Sequence, residues 1–342
     1  MTQDEIAESL ESLLGERVAG VAKIGGGGNS RVYRVDADSG SFAAKFYFQR
    51  TADGRDRLDA EFGGLRFLWD NNVRCIPQPL AADRERQIGV YEYIPGREIS
   101  AEQVTAEDVD QLADFLANLK VLAATPDAAL LPIAAEASFS AAGIAANIRA
   151  RLELLSRANG REPIYRELRR FLEGRFAPAL GRWENTARKT LGEVAYSTVI
   201  PSTARTLSPS DFGFHNALLK DDGCLSFVDF EYFGWDDPAK MISDFLWHPR
   251  STMVDALTDR FADRLTTAFR DVDGLDVRME AVFPLFGLKW CMILLNEFRP
   301  DNLARRRFAS GSTDETEAVL ATQLAKAIDT LTRVDQGPRI FS

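Results

Sequence analysis

The sequence has few of the side chains from which disulfide frameworks and zinc sites are built. It contains three cysteines and two histidines in 342 residues. Cys75, Cys224 and Cys291 are far apart and lack metal-ligand spacing, so we expect no disulfide framework and a reducing, cytoplasmic location. The two histidines, His215 and His248, are too few for a histidine-rich zinc site.

Targeting signals and membrane-length apolar runs are also missing. The acidic start, Met1–Ile6, has no apolar stretch of the kind that marks a secretory signal. The most apolar short run, Cys291–Leu295, is far below the roughly 20 residues that a membrane helix needs. We therefore expect no membrane partner.

Basic residues are outnumbered, with 41 Lys and Arg against 51 Asp and Glu and a net charge of −10. This balance argues against a nucleic-acid partner and is compatible with a small cationic substrate. The composition is ordinary for a globular protein, and the length allows two domains or one bilobed enzyme. The sequence does not specify an oligomeric state.

The stretch Leu207–Glu231 holds three polar side chains in a strand–loop–strand setting. Two short apolar runs, Ala217–Leu219 and Leu225–Phe230, predict a hairpin around a Lys-Asp-Asp-Gly turn. This hairpin would bring Asp229 near Asn216, with Asp211 at the start of the loop. Carboxylate and amide oxygens suit Mg²⁺, which indicates a centre for phosphoryl transfer. A plain hairpin with two solvated aspartates is the alternative.

A glycine run joins two predicted strands near the amino terminus, Val18–Ile24 and Val32–Val35. The spacing Gly25-x-Gly27-x-x-Ser30-x-Val32 matches the Gly-rich loop of protein kinases, with serine replacing the third glycine. Glycines let the backbone close over a phosphate chain where a Cβ would intrude. A flexible turn would have the same composition.

The next predicted strand, Ser41–Phe48, places Lys45 on the opposite face from its phenylalanines. Ala43, two residues earlier, leaves room for a flat ring beside the ammonium. The following helix, Asp56–Trp69, carries Glu61 at the edge of its apolar stripe, and a carboxylate there needs a partner such as Lys45. A lysine on the solvent face of a half-buried strand is the simpler alternative.

Two more predicted strands, Leu80–Ala82 and Gln87–Tyr93, complete a five-stranded antiparallel sheet. The run Tyr91–Gly96 ends in a Pro-Gly break typical of a hinge. We therefore predict an α+β bilobed fold with an amino-terminal nucleotide-binding lobe, residues 1–93, and a larger helical catalytic and substrate-binding lobe, residues 94–342. Amphipathic patterns predict most of the second lobe to be helical.

Together these segments resemble the aminoglycoside phosphotransferase/choline kinase-like family, which has the protein-kinase-like fold. The resemblance runs from about Val18 to Leu246. It rests on the glycine loop, Ala43-Ala44-Lys45, Ala60-Glu61 followed by Pro77, Tyr91–Gly96, Val228–Pro238 and Ser243–Leu246.

The resemblance implies a role for each candidate residue. Asp211 would be the catalytic aspartate, and Asn216 and Asp229 would hold Mg²⁺ across the phosphates of ATP, with GTP as a possible alternative. Lys45, paired with Glu61, would contact the α- and β-phosphates. The remaining nucleotide-binding positions would be Gly25, Gly27, Ser30, Val32 and Ala43 around the phosphates and base, and the Glu92 carbonyl and Ile94 amide at the hinge. Asp244 would brace the catalytic loop.

The chain departs from the family where the substrate would lie. Pro209-Ser210 replaces the usual His-Gly before the catalytic aspartate, and Gly213-Phe214-His215 precedes Asn216. We interpret His215 as packed against the loop, with substrate contact as the alternative. Acidic residues that would suit an ammonium group, with a solvated face as the favoured alternative, are Glu98, Glu102, Glu107, Asp108, Asp110, Glu231, Asp236 and Asp237. The aromatic residues Tyr232, Phe233 and Trp235 could stack on a sugar or enclose a quaternary ammonium, with core packing as the alternative. Arg305–Arg307 would suit an anionic group or lie on the surface.

The resulting hypothesis is a kinase that phosphorylates a hydroxyl of an aminosugar, sugar or amino alcohol. The alternatives are a GTP-using or nucleotidyl-transferring enzyme on the same scaffold and a non-catalytic nucleotide-binding regulator. The presence of Lys45, Glu61, Asp211, Asn216 and Asp229 favours an enzyme.

Overall fold

Apolar alternation in the first hundred residues produces one antiparallel sheet with the order β1-β2-β3-β5-β4. The computed structural model describes residues 3–26, 30–48, 56–158, 160, 163–251, 253–299 and 316–337. The strands are β1 Val18–Gly26, β2 Ser30–Ala37, β3 Gly40–Tyr47, β4 Pro79–Asp83 and β5 Ile88–Glu92. The predicted five-stranded sheet is therefore confirmed, with strand ends that differ by a few residues.

Two helices cover opposite faces of the sheet. Helix α1 (Gln3–Leu14) buries Ile6 and Leu10 in a small core with Ala44 of β3. Helix α2 (Arg57–Asp70) lies on the other face and begins at Asp56, whose carboxylate accepts a hydrogen bond from the Asp59 N–H. Because side chains alternate along β3, Lys45 lies on the face opposite Ala44 and is buried there.

The rest of the described chain is mainly helical, as predicted. The helices are α3 Ala106–Leu122, α4 Ala141–Ser156, α5 Pro163–Phe171, α6 Ala177–Leu191, α7 Glu193–Ser197, α8 Pro238–Trp247, α9 Asp255–Ala268, α10 Leu275–Leu294 and α11 Thr316–Asp335. A π-helical turn, Leu172–Phe176, joins α5 to α6. β5 ends at Glu92 and α3 begins at Ala106, and we keep the lobe division at residues 93 and 94 as a proposal.

Helix α10 is the centre of the helical part and packs against α4, α6, α8 and α11. With its following turn, Leu275–Phe298, it is long and apolar enough to cross a membrane, but 78% of its most apolar window is buried inside the protein. We therefore interpret it as a core helix. The three cysteines are unpaired, which confirms that the chain has no disulfide framework.

Two short antiparallel pairs frame the segment around Asp211. The predicted hairpin is confirmed as β7 Ala217–Leu219 and β8 Leu225–Phe227. Its second strand ends earlier than predicted, and Asp229 has a φ of +68° that no extended strand accommodates. The second pair, β6 Thr206–Ser208 and β9 Gly234–Asp236, was not predicted because three-residue strands have too few residues to show periodicity.

Helix α2 is docked on the segment that follows the hairpin. The Phe230 N–H donates to Glu61 Oε1 at 3.1 Å. A Cβ at Gly64 would lie 2.5 Å from Cδ1 of Phe233, whereas a Cβ at Gly63 would meet nothing within 4 Å. Two adjacent glycines inside a helix lower its intrinsic stability, and a close approach to another element is one reason to keep them. The close contact at Gly64 is with Phe233, far along the chain.

We predict opposite effects for alanine at the two glycines of α2. Gly64→Ala should destabilise the protein by about 1–3 kcal/mol, because Phe233 is buried and cannot move aside. Gly63→Ala, the matched control, should be neutral or stabilising by up to about 1 kcal/mol, because alanine favours the helix. Urea unfolding of both variants measures the difference. Equal stabilities would show that α2 does not pack on Phe233.

Candidate active site

The Lys45 ammonium is the centre of a buried charge network between the sheet, helix α2 and the segment after β8. Its Nζ lies 2.7 Å from Glu61 Oε2, 2.5 Å from Asp229 Oδ1 and 3.5 Å from Glu231 Oε2. Burial alone would lower the pKa of Lys45, but Asp229, Glu61 and Glu231 outweigh it and hold that pKa well above its usual value. The predicted pair between Lys45 and Glu61 is present. Burial raises the pKa of Glu61, and the charge of Lys45 opposes that shift.

Tyr47 fixes the carboxylate that orients Lys45. It lies two residues after Lys45 on the same face of β3, and its hydroxyl donates to Glu61 Oε2 at 2.6 Å. A second contact joins its hydroxyl to that of Tyr91 at 2.7 Å. Burial, followed by the charge of Glu61, raises the pKa of Tyr47, so the hydroxyl keeps its proton. A two-residue spacing on a strand places Tyr47 on the same face as Lys45. This spacing could have predicted the contact of Tyr47 with Glu61, which was not predicted.

The hairpin brings Asn216 and Asp229 to one side of the loop that carries Asp211. The Val228 N–H donates to the Asn216 carbonyl at 2.9 Å, and Asn216 Nδ2 donates to the Asp211 carbonyl at 3.0 Å. This bond directs the Asn216 amide nitrogen toward the loop and its oxygen away from that carbonyl. One carboxylate and one amide oxygen on adjacent segments fit the hard-ligand preference of Mg²⁺.

The other predicted nucleotide-binding residues lie along the sheet next to Lys45. Val32 pairs with Lys45 across β2 and β3 and with Gly25 across β1 and β2. Ser30 begins β2 opposite Tyr47, and Gly27 lies outside the described residues. At the far end of β3, Ala43 pairs with Tyr91. Glu92 ends β5, and Ile94 follows in the irregular segment before the Pro-Gly break.

The loop that carries Asp211 contains a serine in a left-handed backbone conformation. Ser210 has a φ of +69°, a conformation that favours glycine and costs other residues roughly 1–2 kcal/mol. Its hydroxyl donates to the Ala135 carbonyl at 2.8 Å and accepts from Lys240 Nζ at 3.0 Å. These two bonds hold the Ser210 hydroxyl in place and offset part of the backbone cost.

Lys240 ties this loop to helices α8 and α10. Its fully buried side chain pairs with Asp236 at 2.7 Å and with Asp244 at 2.9 Å. Burial lowers the pKa of Lys240, but these carboxylates more than compensate and raise it. Asp244 Oδ1 also accepts a hydrogen bond from Trp290 Nε1 at 3.0 Å. The geometry is therefore that of a brace for the loop, in keeping with the role expected for Asp244.

Both histidines of the chain converge on Asp211. His215 Nε2 lies 3.1 Å and His248 Nε2 lies 3.6 Å from Asp211 Oδ1. The two imidazole rings are stacked, with centroids 4.0 Å apart and an interplanar angle of 4°. Burial would raise the pKa of Asp211, but the hydrogen bond and charge interaction with His215 lower it. The aspartate is therefore ionised near neutral pH. His248 was not singled out from the sequence because nothing local links it to Asp211.

Most of the acidic residues weighed as substrate walls have structural roles or lie on the surface. Asp108 caps α3, Asp110 pairs with Arg260, and Asp237 pairs with Arg278. Glu231 and Asp236 belong to the Lys45 and Lys240 networks. Glu98, Glu102 and Glu107 are exposed on the surface.

The aromatic wall is likewise packed. Phe233 lies against Gly64, Trp235 donates to the Ala128 carbonyl, and Tyr232 faces the Arg57 guanidinium. Arg305–Arg307 lie outside the described residues.

A cavity of about 300 Å³ lies between the segment after Ala135, helix α4 and helix α10. Ala135 itself is hydrogen bonded to Ser210, which places this segment beside the catalytic loop. The cavity is lined by Glu136, Ala137, Ser138, Phe139, Ser140, Gly143, Ile144, Asn147, Val199, Phe286 and Lys289. Its charged groups are paired: Glu136 accepts from Arg151 at 2.8 Å and lies 3.4 Å from Lys289.

We predict that His248 makes stability depend on pH. Burial, followed by the neighbouring His215, lowers the pKa of His248 to about 4, so below about pH 6.5 the unfolded chain binds a proton that the native protein does not. Native stability is therefore lost as the pH falls through this range. Between pH 7 and about 4.5, wild type should lose about 2 kcal/mol more than His248→Gln. Urea unfolding at both pH values tests this, and parallel losses would contradict it.

Comparisons with known proteins agree with this geometry. The sequence profile described as the phosphotransferase enzyme family matches residues 20–280. No curated protein matches the chain at a significant level.

The similar solved structures are small-molecule kinases with low sequence identity. Spectinomycin phosphotransferase in complex with ADP and spectinomycin has a TM-score of 0.63 at 13% identity, over 95% of this chain and 98% of that chain. Choline kinase from Streptococcus pneumoniae has a TM-score of 0.61 at 16% identity, over 96% and 98%. A choline/ethanolamine kinase family protein from Mesorhizobium loti has 0.59 at 18% identity, over 98% and 100%. These likenesses confirm the protein-kinase-like fold.

Proposed function

This chain belongs to the phosphotransferase enzyme family, and we propose that it is an ATP- and Mg²⁺-dependent kinase for a hydroxyl group of a small molecule. The observation that carries the proposal is the position of Lys45 between Glu61 and Asp229, with Asn216 joining the Asp229 segment to the Asp211 loop. A lysine, a metal-binding pair and a proton acceptor are the parts that phosphoryl transfer requires.

Each residue has a distinct task in the proposed reaction. Mg²⁺ held by Asn216 and Asp229 would neutralise charge on the nucleotide phosphates. Lys45, kept charged by its carboxylates, would bind phosphate oxygens and hold the leaving group. Asp211 would orient the acceptor hydroxyl and accept its proton as the oxygen attacks the γ-phosphorus in line. Positioning and charge stabilisation would supply most of the rate enhancement.

ATP is the proposed phosphoryl donor, with GTP as an alternative. Support comes from similar structures, of which spectinomycin phosphotransferase contains ADP in one structure and AMP in another. In this chain, Glu92 and Ile94 follow the strand that pairs with β3, so their backbone groups are the proposed contacts for the base. We propose a cytoplasmic enzyme, since a reducing location suits its three free cysteines.

For the acceptor we propose the cavity beside the catalytic loop, whose volume suits a molecule of about monosaccharide size. Its hydroxyl and amide groups, on Ser138, Ser140 and Asn147, match a polyhydroxylated ligand. Burial would raise the pKa of Glu136, but Lys289 and Arg151 lower it to about 2. Because two cations already neutralise this carboxylate, we favour a sugar over a polycationic aminosugar or an amino alcohol.

We predict that Asp229→Ala removes the metal dependence of nucleotide binding. In calorimetric titrations, Mg²⁺ should strengthen ATP binding to wild type by at least about tenfold and should have little effect on the variant, because a ligand to the ion is lost. The control is Asp221→Ala, an exposed residue in the turn of the same hairpin. Unchanged Mg²⁺-ATP affinity in Asp229→Ala would remove its assignment as a metal ligand.

Asp211→Ala should lower turnover by about 10²–10⁴-fold, because the acceptor hydroxyl loses its proton acceptor. Mg²⁺-ATP affinity should change less than about twofold. Release of ADP in the presence of acceptor measures the first quantity, and calorimetry measures the second. Full turnover by the variant would assign the proton acceptor elsewhere, whereas loss of both turnover and nucleotide affinity would indicate a general structural effect.

Ser138→Leu should fill part of the cavity and raise the KM for the acceptor by about tenfold or more, because the ligand then meets the added side chain. The KM for ATP should stay within about twofold. Ser202→Leu, at an exposed position outside the cavity, is the control. An unchanged acceptor KM in Ser138→Leu would place the acceptor elsewhere.

A further inference from the structure

We infer that His248 is a positioning residue for Asp211 and acts through the imidazole of His215. The inference rests on the proposed function, in which Asp211 accepts the proton of the acceptor hydroxyl. The observation behind it is that both histidines of a 342-residue chain are stacked face to face beside one oxygen of that carboxylate.

The surroundings of His215 specify its tautomer. Its Nε2 lies at hydrogen-bond distance, 3.1 Å, from Asp211 Oδ1. Its Nδ1 is buried and has no hydrogen-bond partner within the part of the chain that the structure describes. A proton on Nδ1 would be a buried, unsatisfied donor. The geometry therefore places a proton on Nε2 of His215, which donates to Asp211 Oδ1.

His248 has the same tautomer for a different reason. The Arg250 N–H donates to His248 Nδ1 at 3.1 Å, so Nδ1 is an acceptor and the ring proton is on Nε2. This Nε2 lies 3.6 Å from Asp211 Oδ1, which is too long for a hydrogen bond. The main action of His248 is consequently on the neighbouring ring.

The His215 ring is confined on two sides. His248 covers one of its faces and is itself held by the edge of Trp290, with centroids 4.7 Å apart and planes at 85°. Trp290 is anchored by its hydrogen bond to Asp244. Gly213 lies on another side, where an added Cβ would be 3.0 Å from His215 Nδ1, so the ring leaves no room there for a larger residue.

This confinement determines which oxygen of Asp211 is available. His215 occupies Oδ1, and Oδ2 remains to accept the proton of the hydroxyl. If the ring could rotate, the carboxylate would lose the donor that orients it. A shared metal ion does not suit this cluster, because the two rings lie in nearly parallel, separate planes and lone pairs within such planes do not meet at one point.

Nitrogen-15 labelling of histidine tests the geometry without requiring turnover, because a chain with two histidines gives two ring spin systems. We expect the ring proton of each histidine to lie on Nε2. Asp211→Ala should shift the Nε2 signal of His215, and His248→Leu should broaden or shift the same signal. A proton on Nδ1 of His215, or His215 signals that are unaffected by both substitutions, would overturn the inference.

Kinetics test the consequence for catalysis. His248→Leu should lower kcat by about tenfold or more, with KM values for ATP and acceptor within about twofold. His248→Phe restores a flat ring and should recover most of the loss, because stacking on His215 does not require an imidazole proton. If the Nε2 proton of His248 were the important feature, phenylalanine would not recover kcat. An unchanged kcat in His248→Leu, or failure of phenylalanine to rescue, would contradict the inference.

The two tests separate this inference from the proposed function. Wild type without phosphoryl transfer, but with the expected tautomers, would refute the kinase assignment and the catalytic part of this inference while confirming the contact. An active wild type with different tautomers would refute the inference alone.

Discussion

The structure around the site depends on one buried cation. Lys45 is held by carboxylates from helix α2 and from the segment after β8, so a single ammonium joins the sheet to the helical part of the chain. Removing one partner from such a network leaves uncompensated buried charge. Three features of the structure agree with this constraint. They are the position of α2, the contact of Gly64 with Phe233 and the left-handed backbone at Asp229.

A second network holds the catalytic loop from the side of the helices. Lys240 contacts Ser210, Asp244 joins Lys240 to Trp290, and Trp290 packs against His248 next to Asp211. This series of contacts starts at Ser210 and ends at Asp211, the next residue of the same loop. Polar groups that are fully paired in this way rigidify their surroundings, and a rigid loop is what precise orientation of an acceptor hydroxyl requires.

Local patterns were enough to predict the sheet, helix α2 and the pair between Lys45 and Glu61, because alternation in β3 and the stripe of α2 determine which faces meet. The hairpin likewise brought Asn216 near Asp229. His248, Trp290 and Lys240 could not be placed, since they reach the loop only through helix packing over long sequence separations. For the acidic clusters the sequence favoured a solvated face over a substrate wall, and it could not show that Asp110 and Asp237 are paired with arginines.

Phosphorus NMR of the protein with ATP, Mg²⁺ and a mixture of sugars shows which bond of ATP is broken. A kinase should give growth of a phosphomonoester signal in step with ADP, and no such growth without protein. Release of pyrophosphate with transfer of AMP would instead indicate a nucleotidyl transferase. Unchanged ATP signals in the presence of every acceptor class, despite Mg²⁺-dependent ATP binding, would contradict the account and indicate a non-catalytic nucleotide-binding protein.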